Sequence, residues 1–231
     1  MGTARSFNRI LRACLFVVAS VTLYAPSAFA QNQNPGIRPP SSNPYGVSYA
    51  GWTATWFQWL IQIPLSQNPL LDPDGRFCQV DQTGGQVFFL GHTALGAPTV
   101  RACTISPGLS VQIFPGGSLC ILHLDADTED GLQQCVEEGL ASIAAVSADV
   151  DGVPVQNIDS YLTEVTPLFS FTLTADNLLG LPPGEYQGRV GGWTLVTTPL
   201  SSGQHVIHFH DELPGPTVAD TTYVLTVSTH D

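Results

Sequence analysis

The chain has 231 residues, 7 basic and 19 acidic side chains, a formal net charge of −12 at pH 7, and apolar residues at 43%. Every basic residue is an arginine, and a surface this acidic repels phosphate backbones and anionic lipid. The balance argues against nucleic acid as a partner and against electrostatic membrane docking.

The N-terminus sets the expected compartment. Arg5, Arg9 and Arg12 form a positive region, Ala13 to Leu23 is an apolar run too short to span a bilayer with ease, and Ala28-Phe29-Ala30 supplies a small-x-small cleavage pattern. Residues 1–30 therefore read as a cleaved signal peptide. Cys14 stands before the apolar run rather than at its end, so a lipoprotein reading fails. Cleavage removes three arginines and takes the net charge from −12 to −15. No later segment has the ~18 consecutive apolar residues of a membrane helix, so the expected location is secreted or periplasmic. Residues 31–47, QNQNPGIRPPSSNPYGV, lack periodicity and read as a flexible leader. Residues 48–231 fit one β-rich domain.

The stretch GWTATWFQWL follows. Trp52, Trp56, Trp59, Leu60 and Ile63 recur at i, i+4, i+7, i+8 and i+11, which predicts a helix from Tyr49 to Ile63 with Ser48 as N-cap and Pro64 as its stop. Buried together, three tryptophans remove roughly 600 Å² from water, worth up to ~15 kcal/mol at ~25 cal/mol per Å². Left exposed, Trp52, Trp56 and Trp59 would be a stacking platform for carbohydrate or a contact for another envelope protein. The docked helix is the favoured reading.

Short apolar or alternating runs dominate from there: Gln86–Gly91, Val100–Ile105, Leu109–Phe114 and Leu119–Leu124, separated by Gly, Pro and Ser. One helix interrupts them. In TEDGLQQCVEEGLASIAAV, Leu132, Cys135, Val136, Leu140 and Ile143 form an apolar stripe behind Thr128 as N-cap. A hairpin about Asp151-Gly152 comes next, then strands at Leu168–Leu173, Trp193–Thr197, His205–His210 and Thr222–Ser228. The pattern is that of a mainly β domain, a β-sandwich or jelly-roll-like fold with an N-terminal Trp-rich helix and one further helix. Cys78, Cys103, Cys120 and Cys135 are an even set allowing three pairings. Cys78–Cys103 and Cys120–Cys135 are favoured because each closes a local loop, and zinc is disfavoured by the lack of a C-x-x-C spacing.

NPYGVSYAGWTATWFQWLIQIP, NPLLDPDGRFC, VFFLG, PLSSGQHVIHF and TTYVLTV together resemble a group of uncharacterised secreted bacterial proteins marked by a Tyr-Gly-x-Ser-Tyr segment leading into spaced tryptophans. The resemblance covers most of the chain after the signal. It implies a bacterial exported origin and a largely β fold, and nothing about chemistry.

Three candidate sites remain. His208 and His210 form an H-x-H pair on one strand face, able to chelate Zn or Cu given further ligands, for which Asp211, His123, His92 and Glu212 are nominations. Asp125, Asp127 and Glu129 alternate like a calcium loop, but the glycine comes one place late and Val136 stands where an EF-hand needs Glu. The tryptophans are the third. No nucleophile elbow, phosphate loop or H-E-x-x-H occurs. The favoured function is a noncatalytic exported binding or structural module. A metal-dependent enzyme at His208 and His210, or an envelope or matrix assembly protein, are the alternatives.

Overall fold

A computed structural model of the chain describes residues 34, 36–213 and 218–229. The expected signal peptide lies outside the described residues. The tryptophan helix, α1, runs Tyr49–Gln62 with the Ser48 side chain accepting from Gly51 N at its start. Pro64 follows, as the sequence reading requires, because proline has no N–H to continue the ladder.

The strands form two sheets. The first, in the order β1-β3-β7-β6, comprises β1 (Val87–Phe89), β3 (Ser110–Ile121), β7 (Gly184–Val196) and β6 (Phe169–Leu173). The second, in the order β2-β9-β8-β4-β5, comprises β2 (Thr99–Ile105), β9 (Val218–Val227), β8 (Gly203–Glu212), β4 (Ala145–Val150) and β5 (Val153–Pro154). Two of the pairings, β1 with β3 and β2 with β9, are parallel, and the rest are antiparallel. A continuous core joins Val111 and Ile113 of the first sheet, Ile207, Phe209 and Leu225 of the second, and Trp56 and Trp59 of α1. The fold is a mainly β, sandwich-like domain.

The second helix, α2 (Glu129–Ala141), is capped by Thr128, whose hydroxyl accepts from Gly131 N. Cys135 on α2 bonds Cys120 of β3, while the next residue along β3, Ile121, packs with Ile61 of α1. Neighbouring strand residues point to opposite faces, so the two helices cover opposite faces of the first sheet. The other disulfide, Cys78–Cys103, ties the loop before β1 to β2. Both pairings are the ones favoured from the sequence, and two disulfides fit a non-cytoplasmic compartment. No helix among the described residues is long and apolar enough to cross a membrane.

Two expectations need correction. The segment 31–47 is not a free leader where it is described. Ile37 bridges to Thr197, Arg38 N donates to Val196 O, and Asn34 donates to Gln156 O and accepts from Gln156 N. Tyr45 adds a hydroxyl contact of 2.8 Å to Ser110. Its Pro- and Asn-rich composition has no internal periodicity because its partners come from other segments.

The runs Leu109–Phe114 and Leu119–Leu124 are not two strands but one, β3, with a register shift between Ile113 and Gly116 where it pairs with β7. Pro115 offers no N–H, and the bulge absorbs that loss. Gly117 and Gly192 flank the Phe114 ring so closely that a Cβ at either would meet it at 2.3 or 2.4 Å. The glycines thus make the slot that holds Phe114 against Trp56, ring centroids 4.4 Å apart.

Candidate functional site

The tryptophans are anchors. Trp52, Trp56 and Trp59 donate their indole N–H groups to Pro44 O, Leu90 O and Val80 O at 3.0, 2.8 and 3.1 Å. Trp56 is 0% exposed and Trp59 5%, so neither offers a ring face for a sugar to stack on, while Trp52 is half-buried against the core. Thr55, Gln58 and Gln62 do border an outer depression beside Trp59 with Asp81 and Thr83, but the indole lies beneath it rather than open to it. Trp56 and Trp59 are covered because the helix face that carries them packs into the core with β1 and β3.

The residues nominated for metal are not gathered into one ligand set. His208 and His210 share the outer face of β8, and their rings face carboxylates across the sheet. His208 Nδ1 lies 3.0 Å from Asp149 and its Nε2 3.2 Å from Asp220, while His210 Nδ1 lies 3.4 Å from the other oxygen of Asp220. Glu212 lies 3.6 Å from His210 Nε2. His123 belongs to the turn after β3 and pairs with Asp127 at 3.3 Å. Asp211 alternates to the opposite face of β8, into the interior. No group of three or more His, Cys, Asp or Glu side chains among the described residues is arranged to hold a metal ion.

The calcium residues are likewise separate. Asp125 accepts from Ile121 N at 2.7 Å, Asp127 meets His123, and Glu129 pairs with Arg189 of β7. Each carboxylate has its own partner, and the acidic start of α2 is the arrangement a helix N-terminus favours.

A different site emerges on the α1 side of the first sheet. A cavity of about 480 Å³ lies between α1, β3, the end of β8 and the loop joining β6 to β7. Its walls are leucines, among them Leu60, Leu119, Leu178, Leu179 and Leu181, and its buried end is closed by Trp56 and Phe114. Leu124 and Asp125 stand exposed at the other end.

The leucines of the β6–β7 loop are shaped chiefly by one side chain, while Asp176 ties the loop to Leu65 N and Ser66 N. Asn177 donates to Thr174 O and Leu181 O at 2.8 and 2.7 Å and accepts from Leu179 N and Leu181 N at 3.1 and 3.2 Å. All four hydrogen bonds stay within the loop, so Asn177 shapes it independently of the sheets.

Two polar side chains reach this cavity from the interior. Asp211 is 2% exposed, and its Oδ1 makes no hydrogen bond among the described residues. Burial pushes its carboxyl up to about 7, against a smaller lowering by the charge of His210. His92 stacks on Trp56, centroids 6.0 Å apart, and its shielded Nδ1 also has no partner among the described residues. Burial and the nearby Arg101 guanidinium lower its pKa to about 4, so the ring is neutral at physiological pH. Arg101 itself is fully buried behind it, its Nη1 donating to Gly91 O and Tyr223 Oη at 2.6 and 3.0 Å.

The arrangement is a largely apolar recess with one buried carboxyl, whose Oδ1 has no partner among the described residues, and one uncharged imidazole. Buried polar atoms are nearly always hydrogen-bonded, so Asp211 Oδ1 marks a place for a polar partner. The sequence nominated Asp211 and His92, but as metal ligands of His208. The strand period held the better signal, since it puts Asp211 on the same face as Ile207 and Phe209. The leucine loop L-L-G-L carried no chemical signal and was missed. No protein-family model, curated protein or solved structure matches the chain.

Proposed function

We propose that the protein is a noncatalytic binding module, exported to the bacterial periplasm or cell exterior, whose ligand is a small and largely apolar molecule held in the leucine-walled cavity. The observation that carries the reading is the cavity itself, which combines a volume of about 480 Å³ with largely apolar walls and a buried carboxyl, one oxygen of which has no partner among the described residues. Small-molecule sites have this character: roughly 300–1,000 Å³, mostly hydrophobic, with a few placed polar groups. A recess of that size gives up side-chain packing, and a buried carboxyl oxygen without a donor costs more, so selection for stability alone would fill the first and replace the second. A sugar fits the walls poorly, because each hydroxyl laid against leucine loses water without gaining a partner. Export fits the signal-like first 30 residues and the two disulfides.

Titration with the uncharged cavity probe 1-aminoanthracene tests the reading. Saturable fluorescence enhancement with one site per chain is expected, and Leu119→Trp, which fills the cavity from its β3 wall, is expected to weaken it roughly tenfold or more while leaving the unfolding transition cooperative. Absence of saturable binding, or binding indifferent to Leu119→Trp, would overturn it.

A further inference from the structure

We infer that the ligand carries a basic nitrogen, an alkylamine-type head group that donates its hydrogen bonds to Asp211 while its hydrocarbon part lies along the leucines. The inference rests on the reading of the cavity as a ligand site and adds the chemistry of the head group.

The first support is the state of the host group. Asp211 Oδ1 is buried without a donor among the described residues, and the side chain is packed against the backbone of β3, where a Cβ on Gly116 would come within 3.1 Å of Asp211 Oδ2. The carboxyl is therefore fixed in place by its neighbours, with one oxygen unused. An ionised carboxylate buried alone is expensive, and it is the partner cation that makes such burial tolerable.

The second support is the sign of the other charges on the wall. Asp125 lies at the exposed end, Asp211 at the buried end, His92 is neutral, and no arginine lines the cavity. The buried cation Arg101 is not among the lining residues; its Nη1 is bonded to Gly91 O and Tyr223 Oη, while its Nε and Nη2 have no partner among the described residues and are shielded from the cavity by His92. A fatty acid or other anionic amphiphile would thus meet two carboxyls and no counter-ion. A cation is drawn in by Asp125 and by the chain's net charge of −12, and at the buried end it meets in Asp211 an acid that can ionise to pair with it.

The third support is proton balance. Because burial holds the Asp211 carboxyl protonated up to about neutral pH, an ammonium ligand entering at pH 6 displaces that proton to buffer and leaves an N–H donor on a carboxylate, a charge-assisted hydrogen bond. A neutral alcohol enters without proton release.

Isothermal titration of the native chain and Asp211→Asn with decylamine, 1-decanol and decanoate, each below its micelle concentration, tests this. Decylamine is expected to bind the native protein roughly tenfold or more tighter than decanoate, with proton release at pH 6 seen as a dependence of heat on the buffer's ionisation enthalpy. In Asp211→Asn the decylamine affinity is expected to fall by about tenfold or more while 1-decanol stays within about threefold, the second ligand confirming that the cavity is intact. If 1-decanol binds but decylamine shows no preference over decanoate, or keeps its affinity in Asp211→Asn, the head-group inference fails alone. If none of the three binds, the binding reading fails and takes the inference with it.

Discussion

Asp211 is where function and stability pull apart. In the unfolded chain its carboxyl has an ordinary pKa near 3.8, and in the folded chain it is raised to about 7 by burial. A raised folded pKa means the native state holds a proton that the unfolded state has already released. The favourable linkage is complete below the unfolded value and is lost as pH rises towards the folded one. The difference of about three units corresponds to a loss on the order of 4 kcal/mol between pH 4 and pH 7. Asparagine cannot ionise, so Asp211→Asn is expected to match the native protein near pH 4 and to exceed its stability progressively up to pH 7. Urea unfolding of both proteins at four pH values reads this directly. A difference that stays flat with pH would mean the carboxylate is solvated in the native state and would remove the buried acceptor from the site. His92 moves the opposite way: its lowered pKa withdraws stability as pH falls from its ordinary range towards about 4. The comparison of variants cancels that contribution.

At the scale of elements, the cavity depends on a loop with little secondary structure of its own. Asn177 supplies four hydrogen bonds that set the positions of Leu179 and Leu181, and it is 5% exposed, so its loss leaves buried backbone N–H and C=O groups unpaired. Asn177→Ala is expected to lower global stability by about 1–3 kcal/mol and to weaken 1-aminoanthracene binding by about tenfold, since the roof of the cavity loses its shape. Proteolysis within residues 174–183 under native conditions should accelerate in the same variant. Unchanged proteolysis together with unchanged binding would show that the leucines are positioned by the sheet and not by Asn177. The legibility of these elements in the sequence follows the range of their causes. The tryptophan helix was readable to within a residue because Ser48 and Pro64 act on their own neighbours, and Thr128 marked the start of α2 in the same way, although the stripe ran on to Ile143, past the helix's end at Ala141. The turn at Asp151-Gly152 was readable for the same reason, both residues adopting positive φ between β4 and β5. Where the cause is distant, the reading fails. Pro115 and the glycines after it look like a break until β7 supplies a partner that tolerates the bulge, and Asn34 looks like leader until Gln156, 122 positions away, meets it. The cavity is the extreme case, since its wall draws on α1, the turn after β1, β3, the β6–β7 loop and β8, and only the alternation along β8 pointed towards it.

At the scale of the molecule, the two disulfides constrain different sheets. Cys120–Cys135 closes 15 residues and clips α2 to β3 of the first sheet, and Cys78–Cys103 closes 25 residues and clips the loop before β1 to β2 of the second. Loop-closure entropy gives ~3 kcal/mol for the shorter and ~3.5 kcal/mol for the longer. The two lie in separate elements, so their contributions are expected to add. A net stability of 5–15 kcal/mol is usual for a domain, so losing both, ~6.5 kcal/mol, leaves the fold marginal. Urea unfolding of Cys120→Ser/Cys135→Ser, of Cys78→Ser/Cys103→Ser and of the four-serine variant checks the sum. Additive losses within one cooperative transition would mean that the sandwich and α2 unfold as a unit, and that the cavity survives only where disulfides persist. If the first variant instead loses helical circular dichroism ahead of the strands, α2 is a separately melting layer, and ligand binding on the opposite face of the first sheet should then be untouched by reduction of Cys120–Cys135 while still failing on loss of Cys78–Cys103.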